Sequence, residues 1–301
     1  MLLAPIPWAG RVWALPFLTV LAPSERYAQE RGRQHKKLTD WARQIVWQAR
    51  RWMPDRALVL VADSSFAALE LLAALTRQGV ICVTPQRRRQ SKGRPPTKGR
   101  RLPHLTDVLA AATTRWQRVR VPGWYGEGDR LVAFCSATAV WRHAGLPVVP
   151  IRWVLLCDPL GRFDPQALLC TDPAREPLQI LTWYVRRWQV EVTFREVRDH
   201  LGVETQRQWS DRAIARTTPC LLALFSLVAL LAAHLNPETR QTVTTAAWYH
   251  KPHPTFADTL AAVRRQFWQE QGFFTSYPTA EEQKPQPALH EAIVYALCNA
   301  A

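Results

Sequence analysis

Short apolar runs alternate with stretches of helical spacing along the first 85 residues of the chain. The run at 57–62 is continuously apolar, which is typical of a central strand buried on both faces of a sheet. From His35 onwards, Trp and Arg recur at helical spacing, which predicts a helix to about Trp52. The whole pattern predicts strands at 1–5, 12–20, 57–62 and 80–84 and helices at 35–52 and 66–78.

The second half of the chain predicts a sheet that helices cover. Residues 102–150 contain short β-like pieces and are interpreted as a β-rich insertion. The remaining pattern predicts a hairpin at 151–157 and 167–171, a long helix from Pro177 to His200, a fully buried helix at 217–234 and a further helix at 256–269. This order of elements predicts an α/β fold with a mixed sheet and flanking helices.

Two apolar segments resemble membrane signals. The N-terminal segment is interrupted by Pro and Gly and lacks a basic leader. The run from Cys220 to Leu235 is short for a spanning helix, and a buried core helix explains it. We therefore expect no membrane partner.

The composition adds a strong positive charge to this picture. The 301 residues carry a formal net charge of +15, which implies a polyanionic partner such as nucleic acid. The six cysteines form no CxxC pair, so we expect buried thiols in a reducing cytoplasm rather than a zinc module or a disulfide framework.

Residues 86–101 concentrate this charge in one basic loop. The segment contains eight cations and no acid, together with two Gly and two Pro, which predicts an exposed loop. Arg and Lys side chains of this kind bind the DNA backbone without reading its sequence. The candidate DNA-binding residues are Arg87, Arg88, Arg89, Lys92, Arg94, Lys98, Arg100 and Arg101.

The predicted long helix carries an unusual set of polar side chains. Tyr184, Arg187, Glu191 and Arg198 follow one another at steps of 3, 4 and 7, so they fall within roughly 60° of one another on a continuous helix. A carboxylate between two guanidiniums suits a metal ion beside a phosphate backbone. Alternatively, Glu191 forms an ordinary ion pair with a residue four positions away, Arg187 or Arg195.

Two aspartates are further candidate metal ligands. Asp63 follows the predicted strand at 57–62, where open α/β sheets place their sites, but it could equally cap the helix that follows. Asp172 also follows a strand, and the Asp-Pro pair favours a turn. The histidines show no metal-binding spacing.

The pattern Y-x2-R-x3-E-x6-R resembles the YREK signature of bacterial insertion-sequence DDE transposases, with Arg198 in place of Lys. The flanking segments WALPFLTVLAPSERY and HLGVETQRQWSDRAIART are also similar to that family. The resemblance implies an RNase H-like fold, a β-rich insertion before the helix that carries the glutamate, and Mg²⁺- or Mn²⁺-dependent cleavage and transfer of DNA strands. It also implies a cytoplasmic, nucleoid-associated protein that acts on transposon-end and target duplexes, with a possible homodimer in a synaptic complex.

The resemblance assigns roles to individual residues. Asp63 corresponds to the second catalytic, metal-binding aspartate and Glu191 to the third carboxylate, while Tyr184, Arg187 and Arg198 contact phosphates. On this basis the catalytic core spans 1–85 and 151–235, interrupted by the basic loop and β-rich insertion at 86–150 and followed by a C-terminal helical region at 236–301.

The first aspartate of the family has no counterpart, because residues 1–39 contain no Asp. We therefore expect an N-terminally truncated transposase that lacks its first strand, binds DNA and has low or no activity. The alternative is a non-catalytic DNA-binding remnant that acts as a dominant-negative partner of an intact transposase. A triad of Asp63, Asp172 and Glu191 is disfavoured, because Asp172 is expected on an edge hairpin.

Overall fold

The computed structural model describes residues 1–85, 102–126, 128–205, 207–243, 251–271 and 287–299. The chain divides into two compact units. The terminal unit comprises Met1–Thr19 and Gln189–Ala301, and the central unit is Val20–Trp188. The division into four segments expected from the sequence stays a prediction.

The described strands are β1 (Leu2–Ile6), β2 (Arg11–Leu15), β3 (Leu58–Val61), β4 (Val80–Pro85), β5 (Gln117–Val121), β6 (Arg130–Trp141), β7 (Val149–Cys157) and β8 (Gln166–Cys170). The described helices are α1 (Glu25–Glu30), α2 (Leu38–Trp52), α3 (Leu69–Thr76), α4 (Leu105–Ala110), α5 (Pro177–Arg186), α6 (Gln189–Leu201), α7 (Asp211–Ala233), α8 (Pro237–Arg240), α9 (Phe256–Gln271) and α10 (Pro287–Asn299).

The central unit is built on a six-stranded mixed sheet with the order β3-β4-β8-β7-β6-β5. Strands β3 and β4 are parallel, and the other neighbouring strands are antiparallel. The predicted α/β class, the mixed sheet and the β7–β8 hairpin are confirmed. The architecture is compatible with an RNase H-like fold.

Strands β4 and β8 are buried on both faces of this sheet. On one face, the α5 side, the core cluster includes Val83, Leu168, Cys170, Ile180 and Leu181. On the other face, the α3 side, the cluster includes Leu72, Leu75, Val80, Cys82 and Leu169. Successive residues of a strand point to opposite faces, so the apolar runs in β4 and β8 supply both clusters.

Strand β3 does not occupy the central position that its apolar run predicted. It lies at the end of the strand order, and all four of its residues are half-buried. The prediction was wrong because an apolar run indicates whether the two faces of a strand are covered. It does not indicate whether the strand has a neighbour on each side in the sheet. Conversely, the β7–β8 hairpin, expected at an edge, lies inside the sheet.

The terminal unit packs the β1–β2 hairpin against α6, α7 and α9. Its core contains an aromatic trio in which the rings of Phe225 and Phe256 stack with centroids 4.2 Å apart, and the Trp13 ring lies 5.8 Å from that of Phe225. The Thr193 hydroxyl donates to the Ala14 carbonyl at 2.8 Å, which satisfies a polar group in this apolar setting.

The predicted long helix is interrupted. Helix α5 ends at Arg186 and α6 begins at Gln189. In between, the amides of Arg187 and Trp188 donate to carbonyls three residues back, Tyr184 and Val185, at 3.1 Å each. Bonds of this 3₁₀ type replace the four-residue bonds of an α-helix, so a single continuous face from Tyr184 to Arg198 was a wrong prediction.

Helix α7 is longer and less buried than predicted. It begins after Ser210, whose hydroxyl accepts from the Ala213 amide at 3.2 Å. One side packs into the core, but Leu227 and Leu230 are 49% and 59% exposed, so the prediction of full burial was wrong. Among the described residues, α7 is the helix with the length and composition to cross a membrane.

The six cysteines are free thiols. Burial raises the pKa of Cys82 to about 12 and that of Cys170 to about 11, so these thiols stay protonated and unreactive. Cys298 is buried as expected, whereas Cys220 on α7 is exposed.

The turn between β7 and β8 depends on a buried carboxylate. Asp158 is 7% exposed and accepts from the Arg162 Nε at 2.7 Å and from the Leu160 amide at 3.0 Å. The Arg162 side chain is the largest cause that lowers the pKa of Asp158 to about 2, while burial acts in the opposite direction. Asp158, the first residue of the turn, therefore holds the turn in its conformation through these hydrogen bonds.

We predict that Asp158→Asn lowers the free energy of unfolding at neutral pH. The difference in this free energy between the variant and the wild type should become smaller in acid. The pKa is lowered from about 3.9 in the unfolded chain to about 2, so the stabilisation is present above pH 4 and is lost as the pH falls to 2. Urea unfolding at several pH values measures it. Asp164→Asn in the same turn is the control, and an equal, pH-independent loss in both variants would contradict the prediction.

Candidate functional site

Asp63 lies where the sequence placed it, two residues beyond the end of β3. Its carboxylate accepts from the Ser65 amide at 2.6 Å and also from the Ser65 hydroxyl. It thereby caps the short 3₁₀ turn Ser64–Phe66. The capping role is therefore present, and the exposed side chain is compatible with a second role as a ligand.

Strand alternation places Asp63 on the α5 side of the sheet. Val59 and Val61 pack into the cluster on that side, the Ala62 amide continues the ladder by donating to Val83 at 3.0 Å, and Asp63 remains extended. Every second residue of an extended chain shares a face. The α5 side is also the side that bears Tyr184.

Tyr184 and Arg187 lie close together at the C-terminal end of α5. Tyr184 is 9% exposed and belongs to the α5-side cluster. The Arg187 guanidinium lies 5.6 Å from the centroid of the Tyr184 ring, a cation–π distance. The ring thus packs as a core residue and supports the half-buried cation beside it.

Aromatic residues from distant segments meet beside these two side chains. Trp124 stacks on Phe163 with centroids 5.2 Å apart, and Tyr125 meets the exposed Trp188 edge-on at 5.6 Å. Burial is the largest cause that raises the pKa of Tyr125. Phe163 and Trp188 carry no signal of this contact in the sequence, because no local spacing connects segments that lie this far apart in the chain.

Glu191 and Arg198 lie on α6 in the terminal unit. Glu191 is exposed in the first turn of α6, where a carboxylate interacts favourably with the helix dipole. Arg198 is exposed and lies 3.5 Å from a carboxylate oxygen of Glu204. Arg195, an expected ion-pair partner of Glu191, lies 3.9 Å from Glu196.

Asp172 does not share a location with Asp63. Its carboxylate accepts from the Arg175 Nε at 2.7 Å and from the Ala174 amide at 3.0 Å, as a turn-starting Asp does. Val61 and Cys170 both pair with Val83, on strands that run in opposite directions. Asp63 lies two residues beyond Val61, and Asp172 lies two residues beyond Cys170 in the opposite direction. The two aspartates are therefore four residue steps apart, about 13 Å along the strand axis alone.

The family resemblance implies a divalent cation at the carboxylates. The oxygens of Asp63 and Glu191 are the hard donors that Mg²⁺ prefers, so the donor chemistry fits. Within the described ranges, however, no group of three or more His, Cys, Asp or Glu side chains could hold a metal ion. The complete set of ligands that the resemblance implies is therefore not assembled there.

The basic loop lies outside the described residues. The eight DNA-binding candidates that fall there are Arg87, Arg88, Arg89, Lys92, Arg94, Lys98, Arg100 and Arg101.

Substitutions at Asp63 can separate its capping role from any role as a ligand. We predict that Asp63→Ala lowers the free energy of unfolding by about 1 kcal/mol, because the Ser65 amide loses its acceptor. Asp63→Asn keeps an acceptor oxygen and loses less. Urea unfolding of both variants tests this; equal losses would show that the charge, and not the cap, stabilises the turn.

A comparison with known protein families matches residues 33–224 to the family described as the transposase DDE domain. A search among curated proteins finds no match. The matched segment contains Asp63, Tyr184, Arg187, Glu191 and Arg198. Because it covers more than half of the chain, the protein belongs to the transposase DDE domain family.

Proposed function

We propose that the protein acts on DNA as an insertion-sequence transposase and that Asp63 and Glu191 are two of its catalytic carboxylates. The observation that carries this proposal is the family match, which spans both residues in one segment. Members of the family are transposases that bind DNA and generally use divalent metal ions. The net charge of +15 agrees with a polyanionic substrate.

Phosphate contacts are assigned to the cations of the YREK signature. Arg187 is held beside the Tyr184 ring, which limits the freedom of its guanidinium. Arg198 is exposed and available to solvent on α6. Guanidiniums suit phosphate because their planar donors can engage two oxygens at once. Tyr184 acts mainly by positioning Arg187.

Asp63 and Glu191 would bind Mg²⁺ or Mn²⁺. When bound, the cation supplies Lewis-acid activation of a phosphodiester and of the attacking hydroxyl. Asp63 contributes a carboxylate that its own turn orients through Ser65. The partners we propose are transposon-end and target duplexes, with a homodimer in a synaptic complex, in a bacterial cytoplasm.

A second candidate function is DNA binding without cleavage, with inhibition of an intact transposase by mixed assembly. The observation that favours it is the position of Asp172. That carboxylate is held by Arg175 and lies at the other end of its strand ladder from Asp63. In this arrangement, Asp172 would not take the place of the first catalytic aspartate.

We predict that the 301-residue chain binds a transposon-end duplex but nicks it at or near the background rate in Mg²⁺ or Mn²⁺. Incomplete coordination leaves the developing charge without its cations. Gel analysis of a labelled duplex measures nicking, and a mobility shift measures binding. Glu191→Gln and the neutral control Asp164→Asn are run in parallel. Metal-dependent nicking that Asp63→Ala abolishes would refute this prediction and establish an active enzyme.

We also predict that the basic loop sets part of the salt dependence of DNA binding. Replacing its eight cations by Gln should lower the slope of log K against log salt by about 0.9 for each lost phosphate contact. Binding titrations at several salt concentrations measure the slope. A variant with the 86–101 residues scrambled but all cations kept is the control. An unchanged slope in the Gln variant would remove the loop from the interface.

A further inference from the structure

Helix α2 has a solvent side with an unexpected composition. Its core side contributes Ala42 and Val46 to the α3-side cluster, together with buried Ala49. The opposite side carries Gln44, Trp47 and Arg51 at steps of 3 and 4, which share one helix face. Lys37 is exposed immediately before the helix, as its N-cap residue in an extended conformation. We refer to these four residues as the α2 surface.

Trp47 is the unusual member of the α2 surface. It is 39% exposed although it lies opposite the core side of an amphipathic helix, where polar residues are expected. The Arg43 guanidinium lies 5.4 Å from the Trp47 ring centroid, and that guanidinium is itself 3.0 Å from Asp40. The indole is thus held in place by a neighbour while much of it still faces solvent.

The surroundings of the α2 surface are strongly basic. Residues 31–56 contain eight Lys or Arg and two Asp, a net charge of +6. At the start of this segment, the Lys36 ammonium lies 4.0 Å from the Trp41 ring centroid. This charge complements a polyanion.

One cation of this helix has a structural role and is not part of the surface. Arg50 donates to the carbonyls of Met53, Pro54 and Arg56 at 3.2, 3.2 and 2.7 Å and to that of Gly79 at 3.2 Å. It closes the C-terminal end of α2. Arg51, on the same side as Trp47, and the N-cap residue Lys37 are exposed cations.

We infer that the α2 surface binds an unpaired stretch of DNA, with a base stacked on Trp47 and phosphates at Lys37 and Arg51. Bases within a duplex stack on one another and offer no face to an indole, whereas an unpaired base does. The distance from Lys37 to Arg51 is ~21 Å along the helix axis, so phosphates on both sides of the stacked base can reach a cation.

The inference rests on the proposed DNA-directed function and names a second DNA-binding site for it, formed by residues other than Asp63 and the YREK residues. Unpaired strands arise where the base pairs at a duplex end open. The α2 surface would retain such a strand.

Binding of a labelled oligothymidylate of roughly 12 nucleotides, a length within the usual range of single-strand binding sites, tests the inference by fluorescence anisotropy. We expect Trp47→Ala to weaken this binding roughly tenfold, and Trp47→Phe to retain most of it. Binding of a labelled duplex should change less than about twofold, because no base is available for stacking. The double variant Lys37→Gln/Arg51→Gln should lower the salt slope for the oligothymidylate by about 1.4.

Trp209→Ala is the matched control, because Trp209 is 96% exposed and lies in the terminal unit. The inference would be overturned if Trp209→Ala weakened oligothymidylate binding as much as Trp47→Ala does. It would also be overturned if Trp47→Ala weakened duplex and single-strand binding equally, or changed neither. A wild-type chain that binds duplex but no oligothymidylate would overturn the inference alone. A wild-type chain that binds neither would overturn the proposed function as well.

Discussion

The central unit depends on the short pairing between β4 and β8. Three residue pairs, from Val83 with Cys170 to Pro85 with Leu168, join the parallel β3–β4 pair to the antiparallel β5–β8 part. The Thr171 hydroxyl extends this junction by accepting from the Cys82 amide at 2.9 Å. Because both faces of these strands are covered, by α3 and by α5, disruption of this pairing would expose two core clusters at once.

The same junction determines where carboxylates can act together. Strand β3 runs parallel to β4 and β8 runs antiparallel to it, so residues that follow β3 and β8 emerge at opposite ends of the ladder. Asp63 and Asp172 look equivalent in the sequence because each follows an apolar run. The direction of their strands makes them different, and the salt bridge of Asp172 to Arg175 agrees with a role in the turn.

Local periodicity predicted the elements well, since the helix at α2, strand β4 and the β7–β8 hairpin all lie close to their predicted positions. The predictions that were wrong concerned features that depend on residues distant in the sequence. The apolar run of β3 could not reveal an edge position, the hydropathy of α7 could not reveal its exposed side, and the helical spacing through Trp188 continued across a real break. For the site, capping by Asp63 was predicted as an alternative, whereas the aromatic contacts around Tyr184 required the folded chain.

Arg50 shows how a basic residue in a DNA-binding protein can be mistaken for a contact. Its guanidinium reaches four carbonyls in different directions, which the single ammonium of Lys cannot do from one position. The charge-conserving exchange to Lys would therefore lose part of this set of hydrogen bonds although the charge is kept. In a scan of basic residues, lost DNA affinity at this position would report a loosened connection between α2 and β3 rather than a lost phosphate contact.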